Sequence, residues 1–317
     1  MIDLKPILAA ARQAADLTRR VQQLHLNSSD KGTGSDPVTI ADYGSQAILL
    51  RAIGLAYPDD GVLAEETGAQ FLSLVDTAQR AAIVQLVGDV LGEKITEAQL
   101  IAWLDWGRDR DAARTWLIDP VDGTKGFVAG RRYSIAISPL ENGMPLAGVL
   151  ASPGYPTADG RGLLFYAQRG TAYVEEMRGG AAHRIAVSTR SKPAQFKIVE
   201  SVERSHAHLE LMHHVYEKIG VPLANVESVD SQDKYAMIAA GDADLSLRLP
   251  REANPSHKVW DHAAGSALVR AAGGVVTDVD GSALDFTRGS VLGNRGMIVS
   301  SGVMHDQIIE IVQAALG

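Results

Sequence analysis

The 317-residue chain contains no cysteine. Disulfides, thiol catalysis and thiolate metal sites are thereby excluded, and a cytoplasmic setting is the expectation. No stretch approaches the roughly 20 apolar residues that a membrane span requires, so no membrane partner is expected. Basic residues are not in excess: 30 Lys and Arg stand against 38 Asp and Glu, a net charge of −8. That balance argues against a general nucleic-acid binder while leaving room for a local basic pocket. The opening "MIDLKPILAAARQAADLTRRVQQL" has no basic start, apolar block or small-residue cleavage site, so it does not read as a secretory signal. Repeats and low-complexity linkers are missing too.

What is present is an ordinary globular composition, 46% hydrophobic and 21% charged, with 12 prolines. The length suits two packed domains. Apolar residues at Ile2, Leu4, Ile7, Leu8, Ala11, Ala15 and Leu17 predict an amphipathic helix over 2–25. The polar stretch 27–39 reads as a mobile loop or hairpin, 40–56 as a second helix ending near Pro58, "GVLAEET" as a strand entering a turn, and 76–106 as mostly helical. From Trp116 the pattern changes to hairpin-linked strands. Beyond about residue 192 strands alternate with helices at 206–219, 232–240 and 261–272. The division expected is residues 1–192, an α+β domain, and 193–317, a smaller α/β domain.

Several acids stand at the ends of these elements: Asp42, Glu65, Glu66, Asp119, Asp122 and Asp261. Each has an ordinary structural reading. Asp42 and Asp261 match the residue preference of helix N-caps, the two glutamates could be solvated turn residues, and Asp119-Pro120 is common turn chemistry. "DPVDGT" (119–124) changes the balance. Pro120 interrupts regular pairing, and the spacing of three lets both aspartates turn to one point. Gly123 allows the backbone to approach a ligand, and the amides that follow, with the Thr124 hydroxyl, suit an anion. Hard carboxylate oxygens without His or Cys favour Mg²⁺. Metal and phosphate side by side are the layout of metal-assisted phosphoryl hydrolysis.

"DPVDGTKGF", "LAEET" and "VWDHAAGSALVRAAGGVVTD" together resemble the inositol monophosphatase superfamily of metal-dependent phosphatases. Within it, "DPVTIADYGSQAI", "ESVERSHAHLE" and "VDSQDKYAMIAAGDADLSLRLP" resemble the 3′(2′),5′-bisphosphate nucleotidase group of the yeast and plant type, as does the long helical stretch between Glu66 and Asp119. The likeness spans nearly the whole chain.

The resemblance implies an α/β fold of αβαβα layers, with a large antiparallel sheet, a smaller mixed-sheet domain, and the site between them. It implies two or three Mg²⁺ ions on Glu65, Asp119, the Val121 carbonyl, Asp122 and Asp261. Asp42 and Thr124 match the pair that activates water, and Gly123 and Thr124 the phosphate cradle. His206, Ser231, Lys234 and Arg248, with Asp261, match the positions that hold the substrate and its second phosphate. The expected substrate is 3′-phosphoadenosine 5′-phosphate, hydrolysed to AMP and phosphate by a monomer or homodimer. The rivals are an inositol mono- or polyphosphate phosphatase and, from another class, a phosphonucleotide-binding sensor without turnover. Two departures stand out: Ala272 where the family usually has Glu, and Asp233 beside Lys234 where a small residue is commoner. The second predicts an extra negative charge next to a bound bisphosphate.

Overall fold

A computed structural model describes residues 2–27, 37–202, 208–250 and 257–317. Two helices come first, α1 (Lys5–Asn27) and α2 (Pro37–Ala56), then β1 (Gly61–Ala64) and the helices α3 (Gly68–Leu74), α4 (Thr77–Leu91) and α5 (Glu97–Leu104). A run of strands follows: β2 (Arg114–Asp122), the short helix α6 (Thr124–Val128), β3 (Ser134–Glu141), β4 (Met144–Pro145), β5 (Gly148–Ser152), β6 (Leu163–Gln168), β7 (Thr171–Glu176) and β8 (His183–Ile185). The remainder alternates: β9 (Ile198–Glu200), α7 (Leu209–Ile219), β10 (Val226–Ser228), α8 (Asp233–Ala239), β11 (Leu245–Arg248), β12 (His257–Lys258), α9 (Ala263–Ala271), β13 (Val275–Thr277), β14 (Val291–Leu292), β15 (Met297–Ser300) and α10 (His305–Leu316).

The larger sheet runs β1-β2-β3-β5-β6-β7-β8, with β4 attached to β3; only the β1–β2 pairing is parallel. The smaller sheet, β10-β9-β11-β15-β13, is mixed. The central strands are buried on both faces, and successive residues join different cores. Trp116 and Ile118 of β2 pack with α1 and α2, whereas Leu117 between them joins a second core with α8 and α9. In the smaller sheet Met297 and Val299 face that same second core, and Ile298 faces a third one with α7 and α10. Continuous apolar runs such as "WLI" are the mark of strands covered on both sides. The layers are α1/α2, sheet, α8/α9, sheet, α7/α10: the αβαβα order that the motifs implied. The expected boundary at 192/193 falls between the two sheets, yet the core crosses it, because α8 and α9 from the second half supply the middle layer.

That middle layer is tight. A Cβ on Gly265 of α9 would run into the Tyr235 ring of α8, and one on Gly148 of β5 would strike the Ala264 carbonyl. Gly265→Ala is therefore expected to destabilise the protein by about 1–3 kcal/mol through overpacking, outweighing the ~1 kcal/mol that Ala gains over Gly in a helix. Urea unfolding checks this; an unchanged midpoint would show that Tyr235 gives way at no cost.

Two sequence expectations are corrected here. The second helix starts at Pro37, so Asp42 lies in its second turn and is no N-cap. Asp261 sits in the turn before α9, whose N-cap is His262. The C-terminal helix α10, whose Ile308 and Val312 are fully buried, was not anticipated.

Candidate active site

β2 delivers the two aspartates through an irregular step. Asp119 pairs with Ala136 of β3, but Asp122 pairs with Ser134, so three residues on β2 match two on β3. This is a bulge, at the place where Pro120 offers no N–H to the ladder. The freed Pro120 carbonyl accepts from Ser45 Oγ at 2.9 Å. Asp122 Oδ2 accepts from the Gln232 amide and from Ser134 Oγ, the latter at 3.4 Å. Gly123 then turns the chain with φ 88°, and a Cβ there would lie 2.8 Å from Ser231 Cβ. Both the left-handed backbone and the contact demand glycine. Thr124 Oγ1 donates to the Val121 carbonyl at 3.3 Å.

Other elements bring their groups to the same place. Ala64 of β1 is level with Ile118 of β2, so Glu65 emerges beside Asp119. The turn carrying Glu65 is pinned by Gln46 of α2, which accepts from the Glu66 amide at 2.9 Å and donates to the Glu66 carbonyl at 2.8 Å. The Glu66 carboxylate turns instead to the Tyr43 hydroxyl. Glu65, Asp119, Val121, Asp122, Gly123, Thr124, Ser231, Lys234, Arg248 and Asp261 all line one cavity of about 470 Å³ between the two sheets. Asp42 is not on its wall. It lies behind it, only 7% exposed on α2 and near enough to help raise the pKa of Asp119. His206 lies outside the described residues.

The acids oppose one another. Asp119 is held well above the ordinary carboxylate range by burial and by the charges of Asp122, Glu65, Asp261 and Asp42. Burial, then Glu66 and Asp122, push Glu65 up to about 7. Burial, then Asp122, push Asp261 to about 7. Asp122 is raised less, because Lys234 and the Gln232 amide offset its burial. Asp119 Oδ1 is buried without a hydrogen-bond partner among the described residues. Carboxylates that repel one another around an unspent oxygen fit a hard divalent cation. Among the described residues no three such groups yet close into a cage; they share the wall of a cavity.

Lys234 and Arg248 share the cavity with the acids: both act on Asp122, and Arg248 acts on Asp261 as well. Ser246, Leu247 and Arg248 of β11 border the cavity, and Leu247 also belongs, with Leu245, to the third core. Arg248 Nε is buried without a partner among the described residues. Lys234 Nζ donates to the carbonyls of Val229 at 3.1 Å and Ser231 at 2.7 Å. Two of its three N–H bonds are therefore spent on the loop beside Asp122. Asp233 points away from the cavity and is fully buried, facing Ser152 and Arg132. The expected negative charge beside a bound bisphosphate is thus not found there.

Asp233 has another consequence. Burial pushes it up to about 7, against 3.8 for an ordinary aspartate. A raised folded-state pKa gives stability that is full below the unfolded value and is lost as pH rises through the folded one. Asp233→Asn is expected to melt higher than the wild type at pH 8, with the difference shrinking toward pH 5. Melting curves at both pH values test this; equal gains at both would remove ionisation as the cause.

Residues that the motifs did not single out also line the cavity: Lys125, Ser201, Gln232, Tyr235, Ser246 and His262. Tyr235 and His262 form a buried pair, with the hydroxyl 2.9 Å from Nδ1. Lys125 was readable as the residue after "DGT", and Ser246 from its i,i+2 relation to Arg248 on a strand. Gln232 carried no signal beyond its motif.

Five layers with an acid-walled cavity between the sheets define the class of the inositol monophosphatases. The solved inositol monophosphatase of Anabaena superposes with a TM-score of 0.61 at 22% identity, over 99% of this chain and 97% of that one. The extragenic suppressor protein suhB of Bartonella henselae gives 0.64 at 21% identity, over 98% of both. CysQ of Bacteroides thetaiotaomicron gives 0.59 at 20% identity, over 93% of this chain and 96% of that one. At such identities these likenesses establish the fold. The chain itself belongs to the inositol monophosphatase family, whose sequence pattern it matches over residues 3–316, and it is a phosphatase. It is 34% identical over 345 residues to a 3′(2′),5′-bisphosphate nucleotidase of Emericella nidulans, covering 97% of this chain and 96% of the relative. A protein of the same name from Oryza sativa is 33% identical over 338 residues, covering 98% and 94%.

Proposed function

We propose that the protein is an Mg²⁺-dependent 3′(2′),5′-bisphosphate nucleotidase that converts 3′-phosphoadenosine 5′-phosphate to AMP and phosphate. The observation that carries this reading is a cavity lined by both acids and cations. It is lined by carboxylates for metal and also by Arg248, with a buried donor left over, and Lys234. A single phosphate is served by the metal site; a second phosphate calls for the added cations. The names of the fungal and plant relatives support the same substrate class. An inositol monophosphate has no second phosphate for these cations to hold.

In this reading Glu65, Asp119, the Val121 carbonyl, Asp122 and Asp261 hold two or three Mg²⁺ ions. Metal held by these residues would supply charge to neutralise the phosphoryl oxygens and the departing 3′-oxygen, and would lower the pKa of water. The Thr124 hydroxyl, on the cavity wall, orients the attacking water, and Asp42, buried behind that wall, is proposed to take the water's proton by way of this hydroxyl. The water oxygen bonds to phosphorus as the bond from phosphorus to the 3′-oxygen breaks, and that oxygen takes a proton from solvent. Gly123 and Thr124 cradle the transferred phosphoryl group. Ser231, Lys234 and Arg248 hold the nucleotide and its 5′-phosphate, and His206 is proposed to join them.

Phosphate release from a panel tests the reading: 3′-phosphoadenosine 5′-phosphate, its sulfated form, inositol phosphates and fructose 1,6-bisphosphate, each with and without Mg²⁺. The first should lead; preference for an inositol phosphate would overturn the assignment. Thr124→Ala should lower kcat more than it changes KM, at a cost of about 2–4 kcal/mol in the transition state. A mutant that changes KM alone would make Thr124 a binding residue.

A further inference from the structure

Gln232 has no role in the reading above, yet it touches more of the site's framework than any acid does. Its backbone amide donates to Asp122 Oδ2. Its side-chain Nε2 donates to the Trp260 carbonyl at 3.0 Å, and its Oε1 accepts from the Gly265 amide at 3.1 Å. Trp260 is the residue before Asp261, and Gly265 lies in the first turn of α9. The residue is 2% exposed, so these bonds have little competition from water.

The backbone around it is arranged for this purpose. Ser231 adopts φ 66°, which a residue with a side chain rarely does. That turn aims the Gln232 amide at Asp122. Ser231 is in turn packed against Gly123, directly after Asp122. Asp122 ends a strand of the large sheet, while Asp261 enters a helix of the middle layer. Among the described residues, Gln232 is the one that hydrogen-bonds on both sides of that gap.

We infer that Gln232 is a positioning residue that fixes the separation of Asp122 and Asp261, and through it the affinity of the site for divalent metal. The inference rests on the proposed metal role of those two aspartates. A primary amide is the group required. A carboxylate would repel the Trp260 carbonyl, an ammonium could not accept from Gly265, and a hydrocarbon would leave both buried groups unpaired. Residues that orient metal ligands typically alter metal affinity by about 10- to 100-fold when removed.

The test is binding of Mn²⁺ alone to the full chain, without substrate, followed by the paramagnetic resonance of free Mn²⁺. Gln232→Met, Gln232→Glu and Asp122→Asn are compared with the wild type at a temperature where far-ultraviolet circular dichroism shows all of them folded. Mn²⁺ binding weakened about 10- to 100-fold in both Gln232 variants is the expected result. A purely structural role would lower the melting temperature and leave Mn²⁺ affinity of the folded protein unchanged, which would overturn the inference. If Asp122→Asn weakens binding and the Gln232 variants do not, the metal reading stands and the inference fails. If Asp122→Asn also binds as the wild type does, the metal reading itself fails and takes the inference with it. Should Gln232→Met not fold, Gln232→Glu carries the same comparison, because it keeps the bond from Gly265.

Discussion

Asp119→Asn is expected to stop phosphate release while making the metal-free protein more stable. The two effects have one cause. Asp119 is 4% exposed and sits among Asp122, Glu65, Asp261 and Asp42, each of which opposes its ionisation. An asparagine removes that repulsion, and its amide finds carboxylate acceptors on every side. The same exchange removes an anionic ligand from the proposed metal site. Metal ions contribute several kcal/mol to such transition states, and each 1.4 kcal/mol is tenfold, so turnover should fall on the order of 10³ or more. Asp122→Asn should behave alike in turnover. The stability gain has a definite pH dependence. Glu65 and Asp261 are pushed to about 7, so the wild type loses stability as pH rises through that region. The advantage of Asp119→Asn should therefore be largest above pH 7 and fade in acid. Added Mg²⁺ should raise the melting temperature of the wild type and leave that of the mutant nearly unmoved. Near-normal turnover in either mutant, or a metal-free Asp119→Asn that melts lower at pH 8, would contradict this account of the carboxylates.

Arg248→Ala should erase selectivity for a bisphosphate. Arg248 lines the cavity and carries a buried donor that no described residue engages. A charge-assisted bond to a phosphate is worth roughly 1.5–3 kcal/mol, or about tenfold to a hundredfold in affinity. The loss should appear with 3′-phosphoadenosine 5′-phosphate and be small with 3′-AMP, which has no 5′-phosphate. Lys234→Ala should differ. Lys234 holds the loop at Val229 and Ser231 and lowers the pKa of Asp122. Its removal should therefore impair both substrates. Kinetics of the two mutants on the two substrates decide the matter. Equal losses for Arg248→Ala would show that it does not read the second phosphate, and the specificity would fall back to a general sugar phosphatase.

Much of the site was legible because its residues lie in short motifs punctuated by Pro and Gly. "DPVDGT" announces its own break in the ladder, and all of its members but Pro120 line the cavity. Asp42 was placed correctly in the chain but wrongly in its helix, since the polar run before it hid a start at Pro37. The layered order followed from the resemblance and not from periodicity. What fixes the middle layer is the fit of Gly265 to Tyr235 and of Gly148 to Ala264. The second of those contacts joins residues more than a hundred positions apart, and no local pattern reports it. Asp233 misled for a related reason. Its sequence neighbour Lys234 faces the cavity, but on a helix adjacent residues diverge, and Asp233 turns to Ser152 and Arg132 instead.

The bulge in β2 settles a question of odd and even numbers. Along a regular strand, residues an odd number apart point to opposite faces. Leu117 and Asp119 share the face of the middle layer, and Ile118 belongs to the other. By that count Asp122 would face α1 and α2. The extra residue between the Ala136 and Ser134 pairings reverses the parity, and Asp122 meets the Gln232 amide on the same side as Asp119. Two acids three apart on a strand can serve one ion only if the ladder slips between them. The spacing of the motif and the defect in the sheet are the same piece of information, written once in the sequence and once in space.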